Sequence, residues 1–198
     1  LPSERALFYT PRSPILKKHR PGSMLRISPQ TFHFISMSNS KPDSAMFLEV
    51  INHFVPEVLS TMAGLTAVVG KGNPSAPQPT ILRGISGSIG LSGRVHGVVY
   101  TAFSPDLGQM VAEKIFGGSA GEQDVNDVVA ELTNMFTGNL KSMLCDRGHN
   151  CTLTIPSVVR GDKISISAKS ATISVNNSFA VEGCPDPLIV HVFAVLEN

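Results

Sequence analysis

The chain has 198 residues, 42% hydrophobic and 16% charged, with a formal net charge of +1; this suits one globular domain with or without a tail. The lack of Trp and the presence of only two Tyr argue against an aromatic platform for single-stranded nucleic acid. No run approaches the roughly 18 uninterrupted apolar residues of a membrane span.

The charge is uneven. Residues 1–36 hold six Lys/Arg (Arg5, Arg12, Lys17, Lys18, Arg20, Arg26) and a single acid, Glu4, which leaves ten basic and fourteen acidic residues in the remainder. A mildly acidic body offers no basic face for DNA. Cys145, Cys151 and Cys184 form no CxxC, and the chain shows no secretory apolar core. Both features fit a reducing cytosol, so a cytoplasmic protein is expected. Cys145, His149 and Cys151 lie close together, but their spacing matches no standard zinc motif, and no metal site is expected.

Residues 1–40 contain Pro2, Pro11, Pro14, Pro21 and Pro29 and no sustained period. Such a stretch buries too little apolar surface to offset its ordering entropy. It reads as an appended leader or a miscalled start ahead of "MSNSKPDS" at Met37; an organelle presequence or a tail for an acidic partner are the other readings. Residues 41–198 are expected to form a single domain.

Within that domain, "AMFLEVINHFVPEVLSTMAGL" (45–65) spaces Phe47, Val50, Ile51, Phe54, Val58, Leu59 and Met62 as a helix does. Gly64 is placed to cap it, and Pro56 predicts a kink or a break. "KGNPSAPQP" (71–79) reads as a loop. Residues 80–103 alternate around "LSGR" as a glycine-rich hairpin. The helix over 104–118 has both ends marked, by Ser104 and Pro105 and by Gly117–Gly118. A long helix runs from about Asp124 or Asn126 to Leu144. After it, "CTLTIPSVVRG", "KISISAKSATISVNNSFAVEG" and "LIVHVFAVLE" read as strands. This order predicts an α+β domain, with helices packed on a mainly antiparallel sheet.

The long helix carries an anomaly. At about 100° per residue, Val125, Val128, Val129, Leu132, Phe136, Leu140 and Met143 share the core face. Asp127, Glu131, Asn134, Gly138 and Lys141 fall on the opposite, outward stripe. Asn and Gly both weaken a helix, Gly by about 1 kcal/mol against Ala. Asn134 then places a short amide at a defined point, and Gly138 lets another chain approach closely. Asp127 and Lys141 also have an ordinary explanation, as charges complementing the helix dipole. The first helix repeats the spacing with Glu57, Ser60 and Gly64, which suggests a duplicated helix-plus-strands unit.

At "DVVAELTN" and "TIPSV", with Asp127, Glu131, Asn134 and Pro156, the sequence resembles the CheC/CheX/FliY family of chemotaxis phosphatases. "ELTNMFTGNLKSML" and "LSTMAGL" also look like the family's helices. One complete E-x-x-N favours the CheX type. The resemblance implies a homodimer and hydrolysis of the phosphoryl-aspartate on a CheY-like receiver. In that reading Asn134 positions the water and Glu131 pairs with the receiver's lysine. Asp127, Gly138 and Lys141 meet the partner. The chain carries no cofactor, because the receiver supplies Mg²⁺. Neither nucleic acid nor membrane is an expected partner. A non-catalytic scaffold like the flagellar-switch protein FliM, or a small-ligand sensor, are the alternatives.

Overall fold

The computed structural model describes residues 41–75 and 79–197. The expectations for the leader 1–40 and for part of the 71–79 loop fall outside these residues.

Helix α1 spans Ser44–Ala63. Asp43 caps its start, its carboxylate accepting from the Met46 N–H at 2.9 Å, and Gly64 closes it at φ 65°. Pro56 does not break it. Proline removes one backbone hydrogen bond and costs about 3 kcal/mol in a helix interior. Here Phe54, Val55, Val58 and Leu59 are all buried around it, and their packing outweighs that loss.

A short strand that the sequence did not reveal, β1 (Ala67–Val69), follows. The expected hairpin is β2 (Thr80–Gly93) and β3 (Val95–Phe103), turning at Arg94. Helix α2 (Pro105–Phe116) has Ser104 as its cap, the hydroxyl accepting from the Leu107 N–H at 3.1 Å, and stops at Gly117. Helix α3 spans Glu122–Asp146, starting two residues earlier than the first of the two expected starts. Asp124 is not its N-cap but its third residue, reaching back to accept the Gly121 N–H at 2.8 Å. Four strands complete the domain: β4 (Cys151–Leu153), β5 (Ser157–Ile166), β6 (Ile173–Val181) and β7 (Leu188–Leu196). The seven-stranded antiparallel sheet runs β1-β6-β7-β3-β2-β4, with β5 also pairing with β2.

Exchanging β1 with β4, β2 with β6 and β3 with β7 reverses this order onto itself. Even the β5–β2 pairing has a short counterpart, because Asn73 and Ser75 bridge to Asn176 and Ser174 of β6. The duplicated helix-plus-strands unit is therefore present in the topology. Helix α1 packs beside β6 and α3 beside β2, the equivalent positions, and the two helices pack on each other.

The glycine-rich stretch 84–97 lies inside the sheet, since β2 pairs with β3, β4 and β5, and β3 also pairs with β7. The glycines there make room for packing. A Cβ on Gly87 would collide with the Thr133 hydroxyl of α3. Among the described residues, the strands without a second neighbour are β1, β4 and β5.

Candidate functional site on α3

The core face of α3 is as its periodicity requires: Val125, Val128, Val129, Leu132, Phe136, Leu140 and Met143 are all buried. Thr133 and Thr137 are buried with them, and they were not legible as core residues. Thr133 donates to the Val129 carbonyl at 2.6 Å and meets the Thr101 hydroxyl of β3 at 2.6 Å. Thr137 donates to the Thr133 carbonyl at 2.7 Å. At its N-terminal end α3 is tethered to β5: Arg160 donates to the Asn126 side-chain oxygen at 2.9 Å and lies 3.5 Å from the Glu122 carboxylate.

The five outward residues stay together on one side, but that side is not a uniformly solvated face. Only Asp127 is exposed; Glu131, Asn134, Gly138 and Lys141 are half-buried. Helix α3 packs on α1 as well as on β2, β3, β4 and β5. Burial pushes the Glu131 carboxyl above the usual carboxylate range. The polar atoms of Glu131 and Asn134 remain reachable by water, and among the described residues no side chain engages them. They stand one helical turn apart, which puts their Cβ atoms about 5–6 Å from each other. Asp127 is tied to its own helix, accepting from Gln123 Nε2 at 2.9 Å.

Gly138 separates from its apparent counterpart. Gly64 has a local reason, the left-handed backbone that ends α1. Gly138 lies in mid-helix, and a Cβ built on it meets nothing within 4 Å. No contact within the described residues calls for a glycine there. The first helix also lacks the amide, and its Glu57 carboxylate lies 3.6 Å from the His53 ring. The repeat nevertheless extends to the N-terminal side of both glutamates. Asn52 and Asn126 each stand five residues before the glutamate, and each accepts a side-chain hydrogen bond from a strand, from Asn177 and Arg160 respectively.

Further along α3, Lys141 and Cys145 approach Cys151 of β4. Burial first, and then the Cys145 thiol, push the Cys151 thiol up to about 11. Among the described residues no three His, Cys, Asp or Glu side chains form a group able to hold a metal ion, and no helix is long and apolar enough to cross a membrane. The exposed Ile155 and Pro156 connect β4 to β5.

The family model described as chemotaxis phosphatase CheX matches residues 85–179, from β2 to β6 and including all of α3. A CheC-like superfamily protein from Shewanella sp. PV-4 is similar at 27% identity and TM-score 0.66, over 75% of this chain and 97% of that one. A chemotaxis protein from Desulfovibrio vulgaris Hildenborough is similar at 25% identity and TM-score 0.66, over 75% and 96%. The CheX of a CheX–CheY–BeF₃–Mg²⁺ complex from Borrelia burgdorferi shares the fold at 20% identity and TM-score 0.62, over 75% and 97%. No curated protein matches the chain. Over the matched region and in its fold, the chain is similar to CheX- and CheC-like chemotaxis proteins.

Proposed function

We propose that residues 41–198 form a phosphatase domain that hydrolyses the phosphoryl-aspartate of a CheY-type receiver. The observation that carries this reading is the pair Glu131 and Asn134, unengaged by any described side chain, on a helix whose opposite face is fastened to the sheet. The CheX family match and the fold shared with a CheX captured on CheY support it.

An acyl phosphate already has a good leaving group. Water attacks phosphorus, the bond from phosphorus to the aspartyl oxygen breaks, and the carboxylate departs with the electron pair. The receiver would bring its own Mg²⁺ and lysine to neutralise the phosphoryl oxygens. This chain then has to place one water in line with the breaking bond. A neutral carboxamide can both donate to and accept from that water, which is the role assigned to Asn134. Glu131 would pair with the receiver's lysine and set the register. Asp127 and Lys141 would flank the contact, and Gly138 would let the receiver come close to the helix.

The test is phosphate release from a phosphorylated receiver, with binding followed separately. Asn134→Ala is expected to lower turnover by about 10²–10³, the cost of removing one preorganised polar group, while leaving affinity nearly intact. Glu131→Ala is expected to lower affinity as well, because it breaks an intermolecular charge pair. Near wild-type turnover in Asn134→Ala would sink the mechanism and leave a scaffold as the better reading.

A further inference from the structure

Between Glu131 and Asn134 in the chain lies Thr133, pointing the opposite way. It is fully buried, as is Thr101 of β3. The single hydroxyl proton of Thr133 goes to the Val129 carbonyl at 2.6 Å. The 2.6 Å contact between the two threonine hydroxyls must therefore be donated by Thr101. The contact is seated over Gly87 of β2, where any side chain would strike the Thr133 hydroxyl. The rest of the α3 core face is almost wholly aliphatic or aromatic, so a valine at 133 would bury the same volume without a polar group. A buried polar link is directional: it is satisfied at one rotation and one height of the helix, whereas apolar packing tolerates several.

We propose that the Thr101–Thr133 hydrogen bond over Gly87 is the positioning device of the site, fixing the rotation of α3 about its own axis and with it the aim of Glu131 and Asn134. This rests on the phosphatase reading above and adds to it the way in which the amide is held. The lever is short. Side-chain tips on a helix lie about 5–6 Å from the axis, so a rotation of about 15° moves the Asn134 amide by roughly 1.5 Å. Misplacement by about 1 Å costs on the order of 10²-fold when the reacting geometry is an in-line attack. Thr133 and Thr101 touch neither the receiver nor the water. Their effect is on turnover, through Asn134, and not on affinity.

The experiment uses the full chain and a CheY-type receiver from the same organism, phosphorylated with acetyl phosphate for turnover and loaded with beryllofluoride for binding. Thermal melts set the assay temperature well below every transition. Thr133→Val should lower kcat about tenfold or more with the receiver Kd within about twofold of wild type, and Thr133→Ser should recover most of the loss. Thr101→Val, which acts from the strand, should do the same, and the double variant should be no worse than either single one because one bond is lost in all three. Should Thr133→Val fail to melt cooperatively, Thr101→Val carries the test. Wild-type kcat in the valine variants, or equal impairment of Thr133→Ser and Thr133→Val, would overturn the positioning role. Asn134→Ala run in parallel separates the two levels. If it is inactive while the valine variants are fully active, positioning alone fails; if it is active, the phosphatase mechanism fails and the proposal with it.

Discussion

Gly138→Ala sets stability against function in one substitution. A mid-helix glycine costs about 0.8–1 kcal/mol relative to alanine, and the added Cβ at 138 would meet nothing within 4 Å. No steric penalty therefore offsets the gain, and the melting temperature should rise by about 2–4 °C, the shift that about 1 kcal/mol produces in a domain of 150 residues or more. If Gly138 exists to admit the receiver, the same methyl intrudes on a packed interface. Overpacking of that kind costs about 1–3 kcal/mol, or about 5- to 150-fold in Kd. Differential scanning calorimetry and titration with a beryllofluoride-loaded receiver measure the two effects on one protein preparation. A rise in melting temperature with unchanged affinity and turnover would show that the glycine serves no close approach. A fall in melting temperature would contradict the open space around it.

Two further outcomes follow from the same geometry. Burial raises the Glu131 pKa in the folded chain, so between the ordinary glutamate pKa and that higher value the native state holds a proton that the unfolded chain has released. Stability should then fall as pH rises through this window, relative to Glu131→Gln, and pairing with a receiver lysine should expel the proton. Denaturation at several pH values and calorimetric titration in buffers of different ionisation enthalpy test both, and an unchanged pH slope in Glu131→Gln would refute the assignment. The homodimer expected from the family resemblance should form along β5, whose outer edge has no partner among the described residues and which carries the exposed Val159. Light scattering at micromolar concentration should give a dimer mass, and Val159→Lys should lower it; a monomer mass for the parent chain would count against this.

Much of the domain could be read from local chemistry. Helix ends at Ser104, Gly64 and Gly117 are set by one or two residues each, and the core face of α3 follows from a 3.6-residue period. The pairing of Glu131 with Asn134 on one side of that helix is likewise a matter of spacing. Strand β1 escaped because three residues hold no period. The start of α3 lies two residues before Asp124, whose side chain caps the helix from inside by reaching back to the Gly121 N–H.

What tertiary structure alone decided are the features that depend on two distant segments meeting. The order of strands in the sheet reverses onto itself only when both halves are in place. Gly87 and Gly97 both lie in interior strands, and Gly87 makes way for α3. The half-burial of the outward stripe, and with it the raised pKa of Glu131, comes from neighbours that helical periodicity cannot supply. Thr133, read alone, is an ordinary β-branched residue in a helix; its hydrogen bond exists because β3 brings Thr101, 32 residues earlier in the chain, underneath it. A residue's partners in sequence are set by covalent spacing and local propensity, whereas its partners in space follow from the packing of the whole chain, which no local window contains.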